Sequence, residues 1–182
     1  MRFVVPTLAL AALAALAPVP VRAGAVPGAA PIKLVLTSTA FENDGTLPAT
    51  YTCKGKDVPP PLAWTGVPAD AKSLVLLVDD ASRKTPWNHW IVWNIPPTTT
   101  GIPEGGALPA GAVQGPNDYQ KPAWTGPCPT SSEPRTYYFQ VFALDQPLGA
   151  GPYVRKALME AMSGHVVAEG RIIAAYPKAE AK

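Results

Sequence analysis

Apolar and polar positions along this chain alternate mostly with the period of a β-strand. The five consecutive apolar residues Leu74–Val78 are too few for a helix, and they predict a central strand buried on both faces. Further strands are predicted at Ile32–Leu36, Trp90–Ile95, Tyr137–Leu144 and Val166–Tyr176. Of these, Tyr137–Leu144 is the strongest strand candidate, with aromatic residues and valine at most of its positions. The pattern therefore predicts a mostly β chain.

One helix is predicted late in the chain. Pro152 suits a first helical turn, and Gly164 suits the position just after the last one. Between them Val154, Leu158 and Met162 recur every fourth residue, which is typical of an apolar stripe that packs on a sheet.

Prolines and glycines lie mostly between the apolar runs. There are 23 prolines and 15 glycines among 182 residues, as expected for short strands joined by long loops. Residues 98–115 are rich in Gly, Pro and Thr and lack periodicity, so they are predicted to form a long surface loop. Many short strands, one late helix and no internal repeat indicate a single domain, a β-sandwich with the helix packed on its sheet.

The N-terminal segment predicts export. Arg2 is followed by an apolar stretch that continues through Ala17, and small residues stand at Val21 and Ala23. This layout is typical of a signal peptide cleaved after Ala23, with cleavage after Ala25 as the alternative. An uncleaved membrane anchor is the other possibility that the segment leaves open. We expect a periplasmic or secreted protein.

Export determines the expected boundaries and the charge of the mature protein. The signal peptide is expected to occupy residues 1–23, the folded domain residues 26–177, and a flexible tail residues 178–182. The whole chain has 15 basic and 13 acidic residues, so removal of Arg2 and Arg22 leaves it near neutral. The chain contains no run of basic residues, so a nucleic-acid partner is not expected. No stretch outside the N-terminal segment is apolar for long enough to span a membrane.

Candidate chemistry lies where two predicted strands meet one edge of the sheet. Asp79 and Asp80 follow the strand Leu74–Val78, and His89 precedes the strand Trp90–Ile95. Because a short connector joins the two strands, the three side chains are expected near one another. An imidazole beside a carboxylate can bind a polar group that has both donors and acceptors. A solvated turn and a structural histidine are the alternatives.

Other chemistries find little support. No G-x-S-x-G motif is present, so a hydrolase with His89 as its base is a weaker alternative. Cys53, Cys128 and the two histidines, His89 and His165, are too widely spaced for a structural zinc site. The chain has no phosphate-binding glycine motif, and we expect no cofactor and no metal.

Six short segments between Ile32 and Tyr176 form a set. In chain order they are Tyr51–Gly55, Pro60–Trp64, Asp79–Ala81, His89–Pro96, Gly126–Pro129 and Tyr137–Asp145. In this order and spacing they resemble bacterial members of the phosphatidylethanolamine-binding protein family, also called Raf kinase inhibitor-like proteins. The resemblance implies a β-sandwich with a small pocket at one end that takes phosphate-type anions, including phospholipid head groups. It implies a binding protein and not an enzyme.

The resemblance also implies a set of ligand-binding residues. The family's D-P-D-A-P motif is shortened here, so that either Asp79 or Asp80 would face the pocket. The histidine of its H-R-Y motif is replaced by Arg135, a permanent charge that can bind phosphate as a fork. Carried over by position, the set is Asp80, Asp79, Trp87, His89, Gly126, Cys128, Pro129, Arg135 and Tyr137.

Two further expectations concern the loops. Cys53 and Cys128 are the only cysteines, export would place them in an oxidising compartment, and the resemblance puts both near the pocket, so a disulfide is predicted. The stiff loop Gly126–Pro129 can cradle an anion with free backbone N–H groups, or it is an ordinary turn. The alternative function that the sequence leaves open is that of a secreted inhibitor or interaction module acting through residues 98–115.

Overall fold

A computed structural model describes residues 32–177, so the expected signal peptide and tail lie outside the described residues. The strands are β1 (Ile32–Lys33), β2 (Val35–Thr37), β3 (Gly45–Thr46), β4 (Leu62–Thr65), β5 (Ser73–Asp80), β6 (Trp87–Ile95), β7 (Gly101–Ile102), β8 (Val113–Gly115), β9 (Arg135–Leu144) and β10 (Val166–Tyr176). The helix α1 spans Arg155–Met162, and a single 3₁₀ turn spans Ala49–Tyr51. None of the helices within residues 32–177 is long and apolar enough to cross a membrane.

The strands form two sheets. The larger has seven strands in the order β1-β10-β9-β5-β6-β8, with β3 also paired to β10, and the smaller has the order β2-β4-β7. The central pairs β10–β9, β9–β5 and β5–β6 are antiparallel. The predicted mostly β sandwich with one helix is therefore confirmed.

Strand β5 is buried on both faces, as its unbroken apolar run predicts. Leu74, Leu76 and Val78 belong to the core between the two sheets. Val75 and Leu77 point the other way, into a second apolar cluster that lies beneath α1. Because side chains alternate across a strand, one continuous apolar run supplies both layers of the core.

The first predicted strand, Ile32–Leu36, is divided between the sheets. β1 pairs with β10 in the larger sheet, whereas β2 pairs with β4 in the smaller one. Leu34 lies between them, is fully buried, and donates its backbone N–H to the carbonyl of Glu169 at 2.7 Å. One buried residue thus carries the chain from one layer to the other.

The prediction of a long surface loop at residues 98–115 is wrong in part. The segment contributes β7 to the edge of the smaller sheet and β8 to the edge of the larger one. Ile102 is buried in the core, and the backbone at Gly106 lies close to the side chains of Pro59 and Trp90. Two- and three-residue strands are too short to show a period, so pairing with a neighbour decides them.

The helix begins later than predicted. Pro152 lies outside it, and α1 starts at Arg155. The ring of Tyr153 packs edge-on against Trp93 with centroids 5.4 Å apart, and the chain stays extended there to cover the indole. Gly164 has φ +81°, a conformation that glycine adopts easily, and it follows the helix as predicted.

The apolar stripe of the helix is correspondingly shorter. Val154 precedes the first turn and is 46% exposed, whereas Leu158 and Met162 are buried. These two side chains cover the face of the larger sheet opposite the smaller sheet.

We expect Leu158→Ala to lower the free energy of unfolding by about 2–5 kcal/mol, because it removes a fully buried side chain and leaves a cavity. Met159→Ala on the same helix is the matched control. Met159 is 38% exposed, so its truncation should cost less than about 0.5 kcal/mol. Urea unfolding of the two variants measures the difference, and equal losses would contradict this account of the packing.

Candidate functional site

A cavity of about 80 Å³ opens at the edge of the larger sheet where β5 ends and β6 begins. One water molecule takes about 30 Å³ in the liquid, so the cavity admits a group of a few heavy atoms, the size of a phosphate. Its walls are Asp80, Arg83, His89, Tyr119, Cys128, Pro129, Thr130, Arg135 and Tyr137.

Strand alternation separates the two aspartates. Asp80 continues the face of Val78 and lines the cavity. Asp79 points to the helix side, where its carboxylate accepts hydrogen bonds from Arg155 Nε at 2.9 Å and Asn88 Nδ2 at 3.0 Å. Burial raises the pKa of Asp79, although Asn88 and Arg155 oppose that shift. Of the two candidates, only Asp80 reaches the cavity.

A β-bulge aims His89 into the cavity. Trp90 pairs with Val78 and Asn88 pairs with Asp79, so His89 is an extra residue on β6. Strict alternation would turn His89 away from the face of Trp90, but here both side chains lie on the sandwich side. The Asn88 amide spans the bulge, with Nδ2 at 3.0 Å from the carbonyl oxygen of Val78 and 3.2 Å from that of Trp90.

The imidazole of His89 has a defined tautomer. Its Nδ1 lies 2.6 Å from the carbonyl oxygen of Thr125, which can only accept, so Nδ1 carries the proton. Burial is the largest influence and lowers the pKa of His89. Arg83 lowers it further, whereas the Thr125 carbonyl, Asp80 and Asp118 raise it. The ring is therefore neutral at neutral pH, with Nε2 as an acceptor.

Two arginines share the carboxylate of Asp80. Arg135 Nη1 lies 3.0 Å and Arg83 Nε 3.3 Å from the same oxygen, Oδ2. The Asp80 side chain is 3% exposed, against 28% for Arg135 and 46% for Arg83. With His89 neutral, the lining side chains carry one net positive charge. Arg83 was missed from the sequence, and its only signal is its place in the connector between the two strands of the site.

Aromatic rings close one side of the cavity. Tyr119 packs against Trp87 and His89 with centroids 5.6 and 5.7 Å apart, and Tyr137 lies 5.4 Å from His89. Trp87 does not line the cavity; its ring supports Tyr119 and lies 4.9 Å from the guanidinium carbon of Arg83. Burial raises the pKa of both tyrosines, so their hydroxyls stay protonated. Tyr119 was missed because it carries no motif.

The loop Gly126–Pro129 offers less backbone than expected. The N–H of Gly126 donates to Asp57 Oδ1 at 2.7 Å, and a Cβ at Gly126 would meet that same oxygen at 2.5 Å. Prolines have no N–H, so Cys128 alone can present one from this loop to an anion. Cys128 and Pro129 line the cavity, whereas Gly126 does not.

The predicted disulfide joins Cys53 to Cys128, with their Cα atoms 5.3 Å apart. The backbone N–H of Cys53 also donates to the carbonyl of Pro127 at 3.2 Å. The loop that forms this wall of the cavity is therefore attached to the Cys53 segment by both a disulfide and a hydrogen bond. Neither cysteine is then available as a zinc ligand, and His165 pairs with Asp145 elsewhere on the surface. Within residues 32–177 no three metal-ligating side chains cluster.

Asn117 positions the loop that faces β6, and it was also missed. This fully buried side chain donates from Nδ2 to the carbonyl of His89 at 3.1 Å and to Thr125 Oγ1 at 2.9 Å. Its Oδ1 accepts the N–H of Tyr119 at 2.9 Å. The sequence around it, Gly115-Pro116-Asn117-Asp118, is that of any turn.

This chain has relatives among known proteins. The chain matches the profile of the phosphatidylethanolamine-binding protein family over residues 37–177. A UPF0098 protein of Methanothermobacter thermautotrophicus is 44% identical over 147 residues, 78% of this chain and 97% of that protein. A UPF0098 protein of Chlamydia trachomatis is 39% identical over 150 residues, 79% of this chain and 98% of that protein.

Two solved structures share the fold. CT736 of Chlamydia trachomatis, described as a homologue of phosphatidylethanolamine-binding protein, superposes with a TM-score of 0.74 and 36% identity over 81% of this chain and 99% of its own. Escherichia coli YbcL, described as a new member of the mammalian family, gives 0.72 and 30% over 80% and 99%. The chain belongs to the phosphatidylethanolamine-binding protein family.

We expect no free thiols in the unfolded, non-reduced protein. The bridge closes a separation of 75 residues, so replacing both Cys53 and Cys128 by serine should lower the free energy of unfolding by about 4 kcal/mol in the chain-entropy account. Urea unfolding measures this loss. Wild-type protein unfolded with a reducing agent is the control and should match the double variant. Two titratable thiols in the wild type would refute the bridge.

Proposed function

We propose that this protein binds a phosphate-type anion, free or as part of a phospholipid head group, in the cavity at the end of β5. The observation that carries the proposal is the pair of arginines, Arg83 and Arg135, on one buried carboxylate in a cavity the size of a phosphate. Membership of a family described by phosphatidylethanolamine binding is consistent with it.

The charges favour an anion over a cation. Asp80 alone would repel an anion, but both guanidinium groups compensate its charge. Each arginine has five N–H donors and uses one on Asp80, so several remain for a ligand. The hydroxyl of Tyr137, which also lines the cavity, adds a further donor.

Binding rather than catalysis is the role that the histidine supports. In serine hydrolases a carboxylate orients the Nδ1–H of the base and stabilises its charged form. In this protein a backbone carbonyl, that of Thr125, occupies that place, and Asp80 is engaged by arginines. We therefore propose a binding protein and not an enzyme.

Export is the second part of the proposal. The leader-like pattern of residues 1–23 motivates it, and a disulfide is the kind of bond that persists in the periplasm or outside the cell. We propose that the protein acts there.

We expect Arg135→Ala to weaken phosphate binding by about tenfold or more, because a hydrogen bond to a charged group contributes about 1.5–3 kcal/mol. Calorimetry with inorganic phosphate measures this. Arg171→Ala is the control: Arg171 stacks on Tyr138 at 4.4 Å and does not line the cavity, so affinity should not change. Wild-type protein that binds no phosphate at millimolar concentration would refute the anion site.

Export is tested by intact-mass measurement of protein recovered from the periplasm or medium of a bacterial host. The expected N-terminus is Gly24, or Val26 if the alternative cleavage is used. Protein that begins at Met1 and stays in the membrane fraction would contradict export.

A further inference from the structure

We propose that the cavity recognises a hydrogen atom carried by its anion. It prefers hydrogen phosphate to sulfate and to phosphodiesters, because Nε2 of His89 accepts a hydrogen bond from the ligand's P–OH group. This inference rests on the proposed anion site and deepens it by naming the class of ligand. The discriminating residue is His89, whereas Arg83 and Arg135 supply attraction common to all three anions.

The orientation of the imidazole is held from several sides. Nδ1 donates to the Thr125 carbonyl at 2.6 Å, and the Thr125 N–H returns a bond to the His89 carbonyl at 3.2 Å. Asn117 bonds both the His89 carbonyl and Thr125 Oγ1. A flip of the ring would break the hydrogen bond from Nδ1, so Nε2 is the nitrogen left for the cavity. It has no hydrogen-bond partner among the described residues.

The groups around His89 come from every element of the site. Asp80 faces it from β5, Arg83 from the β5–β6 connector, and Arg135 and Tyr137 from β9. Tyr119 and Asp118 approach from the loop beside β6. The carboxylates favour an imidazolium, but Asp80 is already paired with both arginines, and burial lowers the pKa of His89 below its usual 6.5.

The other polar side chains of the cavity are an engaged carboxylate, two arginines that can only donate, and hydroxyls that can do both. Asp80 accepts from both arginines on Oδ2 and from the N–H of Ser82 on Oδ1. Arg83 and Arg135 can only donate to an anion's oxygens, whereas the hydroxyls of Tyr119, Thr130 and Tyr137 can donate or accept and so do not tell a protonated oxygen from an unprotonated one. His89 Nε2 differs from these groups: it is the side-chain atom of the lining that can only accept and that has no hydrogen-bond partner within residues 32–177.

A hydrogen phosphate satisfies this arrangement without further protons. Its unprotonated oxygens accept from the arginines and the tyrosine, and its P–OH donates to Nε2. Sulfate has nearly the same size and shape but no hydrogen at neutral pH, and a phosphodiester has none either. Each would place an anionic oxygen against the Nε2 lone pair or require His89 to take up a proton, which costs at least about tenfold in affinity one pH unit above the pKa.

Calorimetry of the purified protein at about pH 7.5 tests this with inorganic phosphate, sulfate and glycerophosphoethanolamine, a phosphodiester head group. Phosphate should bind at least about tenfold more tightly than the other two. In two buffers of different ionisation enthalpy, sulfate binding should take up about one proton, whereas phosphate binding should take up none and release only the extra proton of whatever dihydrogen phosphate is present. The preference should shrink as the pH falls through the pKa of His89, because the imidazolium can donate to sulfate.

Two variants separate discrimination from attraction. His89→Asn should bring the phosphate-to-sulfate ratio close to one, because its amide can donate to either anion. Arg135→Lys should weaken both anions by a similar factor and keep the ratio. If His89→Asn does not fold, the proton uptake of the wild type decides.

The outcomes distinguish the two proposals. Equal wild-type affinity for phosphate and sulfate at about pH 7.5, or tighter binding of the phosphodiester, would overturn proton selection and leave the anion site standing. Failure to bind any of the three would refute the anion site itself.

Discussion

The site depends on one constraint, the buried carboxylate of Asp80 at the end of a central strand. A carboxylate out of water must be compensated, and two guanidinium groups do so through the same oxygen. Arg135 begins the neighbouring strand and Arg83 follows in the connector, so satisfying Asp80 draws β5, β9 and the connector together. The pairing also leaves spare guanidinium donors at the cavity. An acid that by itself would repel anions thereby becomes the anchor of a positively charged pocket.

Rigid packing behind this edge holds the geometry. β5 lies between two apolar layers, so its last residues cannot shift without disturbing both. Asp79 adds a tie to Arg155 at the start of α1 on the opposite face. Three loop positions beside the pocket are fastened: Cys128 by the disulfide, Gly126 by Asp57, and the segment that faces β6 by Asn117. The pocket is thus preformed rather than assembled by its ligand.

Family resemblance and physical chemistry contribute differently to the function. The family implies a phosphate-binding pocket, and most of the residues that it transfers do meet: Asp80, His89, Cys128, Pro129, Arg135 and Tyr137. Asp79 and Gly126 do not reach the cavity, and Trp87 supports it from behind. The departure from the family at Arg135 changes the chemistry most, because it pairs Asp80 with a permanent charge. The proposed selectivity for hydrogen phosphate follows from these local details and not from the family.

The long strands and the late helix were determined by the sequence itself, since periodicity and unbroken apolar runs report burial directly. Alternation along the strand that begins with Leu74–Val78 also determines that the two neighbouring aspartates point to opposite faces of the sheet. Which of them points toward the cavity was decided by the packing of the layers on those faces. The bulge at His89 was decided only by tertiary structure, because a bulge is a mismatch between two strands and leaves no period in either. The contribution of Arg83, Tyr119 and Asn117 to the site was likewise decided by tertiary structure. Loop side chains have no periodicity, and only the surfaces they meet determine where they point.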